Sequence, residues 1–126
     1  MLLDTHAFLW ADMNDPRLSL RAREIIRSSQ NDVLLSAISA LEISIKASRG
    51  RLDLPEEAAT FMPTRIAAFA LDELPVRVEH AIRVADLPHH HSDPFDRLLI
   101  AQAQAEGVPI LSSDPNIARY EVDVIW

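Results

Sequence analysis

Four carboxylates from well-separated parts of the chain, Asp4, Glu42, Asp96 and Asp114, have the residue type and the setting for metal-dependent chemistry. Asp4 ends the apolar run Met1-Leu2-Leu3, and Asp114 follows the run Ile110-Leu111-Ser112. Both therefore fall just beyond the carboxyl end of a predicted strand, where open parallel sheets carry their ligands. Asp96 lies in the first turn of a helix that Asp93 caps and Pro94 opens, since proline there gives up only an N–H that has no helical partner. Glu42 lies about two turns into the helix after a second strand. Taken singly, each acid has an ordinary use. Asp4 can simply end a strand, Asp114 can cap a helix before Pro115, and Asp96 can complement a helix dipole for well under ~1 kcal/mol. Glu42 with Lys46 makes an i,i+4 ion pair contributing about 0.3–0.5 kcal/mol. Brought to one sheet edge, however, four carboxylates repel at neutral pH and must take up protons or cations. Oxygen ligands without His or Cys favour Mg2+ or Mn2+ over zinc.

The elements that must position them follow from local pattern. Asn14-Asp15-Pro16 is a turn, and Ser19 caps a helix to about Ser28 with Ala22, Ile25 and Ile26 inward. Val33-Leu34-Leu35 is a compact apolar run of the kind that fills a buried parallel strand. Ser36 caps a helix from Ala37 to about Arg49, closed by Gly50, with Ile38, Leu41 and Ile45 toward the core. Ser39, Glu42, Lys46 and Arg49 form a polar stripe on another side of that helix. A helix opening at Leu54–Glu57 is expected to be kinked or divided by Pro63. Leu71–Leu74 reads as a strand, and Val76–Leu87 as a helix with Val78, Ala81, Ile82 and Ala85 on its apolar face. The helix after Asp93 ends at Gly107 and Pro109, and Val122–Trp126 is a closing strand. Strands alternating with helices imply an α/β fold, a central parallel sheet flanked by helices on both faces.

Composition narrows the chemistry. At 126 residues the chain is expected to form one domain, 1–126, with no apolar run near the roughly 20 residues of a membrane span and no signal peptide at its start. The absence of cysteine excludes a thiol nucleophile and a thiolate zinc site, and makes a cytoplasmic location the default expectation. With only Gly50 and Gly107, neither a Walker loop nor a GxGxxG cradle can be built. A net charge of −7 argues against nucleic-acid binding through bulk electrostatics. It does not argue against a nucleic-acid enzyme whose acids hold a metal and so reverse the local sign. The internal triplet His89-His90-His91 leads straight into a helix and reads as loop histidines flanking the site.

The order Leu3-Asp4-Thr5, Leu35-Ser36-x-x-Ser39-x-x-Glu42, Asp96-x-x-Leu99-Ile100-Ala101-x-Ala103 and Leu111-Ser112-Ser113-Asp114 resembles the PIN-domain nucleases along the whole chain. Asp4-Thr5-His6-Ala7-Phe8-Leu9-Trp10, Glu42-Ile43-Ser44-Ile45-Lys46 and Asp93-Pro94-Phe95-Asp96-Arg97 are similar to the VapC-type toxins of bacterial toxin–antitoxin pairs. The resemblance implies a single PIN-like domain and a Mg2+-dependent endoribonuclease in which metal-activated water hydrolyses RNA. Asp4, Glu42, Asp96 and Asp114 would be its acidic quartet, with Asp4 and Asp96 the most direct ligands. Thr5 and Ser112, the latter standing where the family usually has Thr, would support those ligands. Lys46, Arg49 and Arg97 would contact substrate phosphate, and His6 receives no catalytic role. The implied partners are a small cognate antitoxin, which sets a basic side chain among the acids, and a second copy in a homodimer. Two other readings are weighed beside this one. A module of the same fold could act through complex assembly or operator binding with its antitoxin. A haloacid-dehalogenase-type phosphatase also starts with an acid after the first strand, but needs Asp-x-Asp where this chain has His6.

Overall fold

The computed structural model describes all residues from Met1 to Trp126. Five short strands, β1 (Leu2–Leu3), β2 (Leu34–Ser36), β3 (Asp72–Leu74), β4 (Ile110–Leu111) and β5 (Val124–Ile125), pair in the order β3-β2-β1-β4-β5. Every pairing is parallel, with Leu2 opposite both Leu34 and Ile110, and Leu3 opposite Leu111. Consecutive side chains of a strand point to opposite faces, so these two-residue strands must be apolar at both positions when both faces are covered. They are: Leu2, Leu3, Ile110 and Leu111 are all fully buried.

Two apolar clusters lie on the two sides of the sheet. Leu3, Leu35 and Leu111 pack with α1 (Thr5–Asp12), α2 (Leu20–Arg27) and α4 (Ala58–Ala68) through Phe8, Ile26 and Phe61. Leu2, Leu74 and Ile110 pack with α6 (Pro94–Glu106) through Leu99, Ile100 and Ala103. The expected α/β architecture, helices on both faces of a parallel sheet, is therefore the observed one. Capping residues act where the sequence puts them. Ser19 accepts from the Ala22 N–H and Ser36 from the Ile38 N–H, while Asp93 accepts from the N–H groups of both Phe95 and Asp96. Gly107 ends α6 in the left-handed region at φ 65°, a conformation that glycine adopts at little cost.

Three expectations need correction. In α3 (Ala37–Ser48), Leu41 is 49% exposed, whereas Ser39, Glu42 and Ile43 are buried. The start of the polar stripe faces inward because it packs toward α1 and α6 rather than toward solvent. Of the two effects expected of Pro63, division does not occur, since α4 runs through it and gives up a single i→i−4 bond. Finally, the helix expected over Val76–Leu87 is α5 (Val78–Arg83) followed by a 3-10 turn at Val84–Asp86. Its supposed apolar face is solvent-exposed, at 78% for Val78 and 66% for Ile82. The inward stripe is instead His80, Val84 and Leu87, also at helical spacing, and His80 is fully buried against α6.

Candidate active site

Asp4 and Asp93 each occupy a helix N-cap, and they use their carboxylates differently. Asp93 turns Oδ1 onto its own helix and takes two backbone N–H bonds. Asp4, at the N-cap of α1, makes no capping bond although it is buried. Its Oδ2 accepts instead from the Ser112 hydroxyl at 2.7 Å, across the β1–β4 pairing. Ser112 Oγ in turn accepts the Asp114 N–H at 3.0 Å, so one hydroxyl ties the two strand-end acids together. Asp114 Oδ1 accepts the Asn116 N–H at 2.8 Å, the Asx turn expected before a short helical turn.

Asp96 joins them from the head of α6. Burial pushes its carboxyl up to about 6, against the pull of a hydrogen bond from His91, and the like charges of Asp93, Asp4 and Asp114 add to the rise. Asp4 moves the same way, mainly by burial, with Asp114 again adding repulsion while Ser112 and His6 oppose it. Three acids from β1, β4 and α6 thus share one electrostatic neighbourhood at the carboxyl edge of the sheet. Asp96 Oδ2 lies 3.1 Å from His91 Nε2, and its Oδ1 accepts no hydrogen bond from the chain.

Glu42 is also buried, but its immediate partner is Lys46 Nζ at 2.5 Å, and it is not among the charges that perturb Asp4 or Asp96. Thr5 anchors its helix to the site, because Thr5 Oγ1 donates to Ser39 Oγ at 2.8 Å, one turn before Glu42. The Thr5 hydroxyl therefore braces α1 against α3 rather than touching Asp4.

The three cations read as phosphate contacts fare differently. Arg97 is only 6% exposed, and its guanidinium is spent on the carbonyls of Pro88, Val84 and Leu87 and the hydroxyl of Tyr120. It cannot reach a substrate, and the sequence missed this because arginine in a first helical turn looks exposed. Lys46 is neutralised by Glu42. Arg49, exposed at the C-cap of α3, keeps a free charge. Tyr120 is a residue that sequence reasoning did not assign, and His91 was read only as one of three loop histidines flanking the site. The signal for His91 was its place in the loop just ahead of Asp96.

The acids fit a hard divalent cation by donor chemistry: all are carboxylates, and for Asp4 and Asp96 burial and neighbouring like charge disfavour the ionised form without a counter-charge. Mg2+ retains several waters and takes only one or two carboxylates directly. No three of the four acids bring ligand atoms within 4.8 Å of one another. The one trio that does, Glu79, His80 and Glu106, lies at the far end of α6, roughly 15 Å along the helix from Asp96 at 1.5 Å per residue. There His80 Nδ1 accepts the Arg77 N–H, so Nε2 carries the proton and donates it to Glu106, which leaves no lone pair for a metal.

Among solved structures, VapBC2 from Rickettsia felis bound to a DNA fragment from its promoter is similar to this chain at a TM-score of 0.72. The likeness covers 98% of this chain and 96% of that one at 14% identity, and it is one of fold. Ribonuclease VapC16 of Mycobacterium tuberculosis is 39% identical over 70 residues, covering 52% of this chain and 48% of the relative. The chain thus spans about half the length of the curated relative it matches. A sequence model of the PIN domain matches residues 1–123, and with that span the chain belongs to the PIN domain family.

Proposed function

We propose that this chain is a Mg2+-dependent endoribonuclease toxin, with Mn2+ able to replace Mg2+, that is neutralised by a small cognate antitoxin. The observation that carries the reading is the shared electrostatic neighbourhood of Asp4, Asp96 and Asp114, two of them with carboxyls raised by burial and like charge. Its kinship with a protein named as a ribonuclease supports the choice of RNA. Asp4 and Asp96 are the most direct ligands, with Asp114 and Glu42 completing the acidic set. A divalent ion held there would supply a water acidic enough to attack a backbone phosphorus and positive charge for the leaving oxygen.

The chain's own part is to hold the acids in place. Ser112 fixes one oxygen of Asp4 and the backbone of Asp114 with a single hydroxyl. Thr5 and Ser39 lock the helix that carries Glu42. Arg49, the free cation on α3, is the remaining candidate for gripping a substrate phosphate. The net charge of −7 suits a partner segment that presents a basic side chain to the acids. A second copy of the chain and a cytoplasmic location complete the proposal, and no helix is long and apolar enough to cross a membrane.

The test is cleavage of structured RNA with and without Mg2+. The wild type is expected to cut only with the metal, and Asp96→Asn to lose at least ~10³-fold, the scale of removing a principal charge stabiliser. Cleavage that survives Asp96→Asn overturns the site. Stoichiometric antitoxin is expected to suppress the remaining activity.

A further inference from the structure

The hydrogen bonds behind Asp96 have a direction, and one residue sets it. Arg97 has donors and no acceptor. Its Nη1 points at Tyr120 Oη at 3.0 Å, while its other bonds go to backbone carbonyls. The His91 N–H also approaches Tyr120 Oη, at 3.3 Å. A phenol oxygen that accepts from two donors has only its own proton left to give. The nearest acceptor for that proton is His91 Nδ1 at 2.7 Å, well inside the 3.5 Å to the His91 carbonyl. With Nδ1 accepting, the imidazole proton sits on Nε2 and is donated to Asp96 Oδ2 at 3.1 Å.

We propose that His91 is a positioning residue for the PIN acidic site, its Nε2–H fixed by the Arg97–Tyr120 pair so that it holds Asp96 Oδ2 and leaves Oδ1 to the cation. This rests on the metal-dependent reading of the site. The arrangement explains why an arginine stands directly after Asp96 yet faces away from substrate. Its fixed charge lies at the start of a chain of donors that ends on the carboxylate. It also gives Asp96, surrounded by Asp93, Asp4 and Asp114, a donor that opposes its displacement by like charge. The His91 ring packs edge-on to the Tyr120 ring with centroids 5.4 Å apart, and Tyr120 is buried in the core beneath α6.

The experiment is a Mn2+ titration of the full chain, followed by calorimetry or by the loss of the free-ion spin-resonance signal, on the wild type, Asp96→Asn, His91→Ala, His91→Gln and Tyr120→Phe. Partners of this kind typically change metal affinity 10–100-fold. His91→Ala is expected to weaken Mn2+ binding about tenfold or more, with its metal-free circular dichroism unchanged. His91→Gln is expected to recover affinity to within about threefold, because its amide accepts from Tyr120 and donates to Asp96 just as the imidazole does. Tyr120→Phe, which frees the proton to move to Nδ1, should fall between them. A folded His91→Ala that binds Mn2+ like the wild type while Asp96→Asn does not overturns the positioning role and leaves the metal site standing. His91→Gln binding as weakly as His91→Ala also overturns it. Equal binding by the wild type and Asp96→Asn overturns the metal site and the role with it.

Discussion

The two ends of α6 carry the same side-chain pair in opposite surroundings. At its start, His91 Nε2 lies 3.1 Å from Asp96; at its last residue, His80 Nε2 lies 2.9 Å from Glu106. In both pairs Nδ1 is occupied by a donor, the Tyr120 hydroxyl in one and the Arg77 N–H in the other, so both imidazoles give Nε2–H to a carboxylate. The neighbours differ. Burial pushes Asp96 up to about 6, and the three like charges around it add to the rise. Glu106 has only the exposed Glu79 nearby. A histidine–carboxylate hydrogen bond alone therefore says nothing about catalysis, and the number of unneutralised acids beside it separates a reactive site from a structural clasp.

Mutation at the two ends should break this symmetry most visibly in cleavage. Asp96→Asn is expected to abolish Mg2+-dependent RNA hydrolysis by at least ~10³-fold, while Glu106→Gln should leave the rate within about twofold. A comparable loss in both would mean that α6 acts through its overall stability and not through its head. The reverse asymmetry holds for folding. His80 is fully buried and satisfies a backbone N–H at the start of α5, so His80→Ala should cost about 2–4 kcal/mol in denaturant unfolding. Mn2+ affinity should not change.

The acidic end also predicts how stability responds to pH without metal. Folding raises the Asp96 carboxyl from 3.8 to about 6, so between those values the native state holds a proton that the unfolded chain has lost. Unfolding free energy therefore falls as pH rises from about 4 to about 6, by on the order of 2 kcal/mol for this group, and levels off above. Asp4, raised by burial, shifts in the same direction. Asp96→Asn should flatten the profile and, above pH 6, melt higher than the wild type. Saturating Mg2+ should raise the wild-type melting point and not that of Asp96→Asn, since a ligand at about 100 times its Kd adds about 2.7 kcal/mol. A wild-type profile that is flat from pH 4 to 7 contradicts the raised carboxyl.

How much of this was legible in the sequence depends on range. Local signals held. Asp93-Pro94 and Ser36 opened their helices, Gly107 closed α6, and the apolar runs became strands, because caps and breakers act within a few residues. The placing of Asp4 and Asp114 followed from where strands end in a parallel sheet, and that of Asp96 from the cap that opens α6. What the sequence obscured was which face of a helix turns inward. Val78 and Ile82 read as core because they are apolar, yet the buried position went to His80, whose two hydrogen bonds remove the cost of burying it. Arg97 misled for the mirror-image reason. It read as a surface cation, and only the tertiary fold reveals three carbonyls and a phenol arranged around it. Polar burial depends on partners distant in sequence, and no periodicity encodes them.

The smallest expected effect is also the sharpest control on the comparison. Glu106→Gln keeps an oxygen to accept the His80 Nε2–H and removes a negative charge from a helix C-terminus, where the backbone dipole disfavours it. The lost charge assistance to the hydrogen bond and the relieved dipole repulsion are both of order 1 kcal/mol or less and opposite in sign. The net change should stay within about 0.5 kcal/mol at pH 7.5, measured by denaturant unfolding. The same acid-to-amide change at Asp96 removes a charge that burial disfavours and that three neighbouring acids repel, and it should stabilise the metal-free chain above pH 6 by on the order of 2 kcal/mol. Equal shifts at the two positions would locate the strain in the histidine bonds common to both ends, and burial among acids at the head of α6 would lose its claim to be the source.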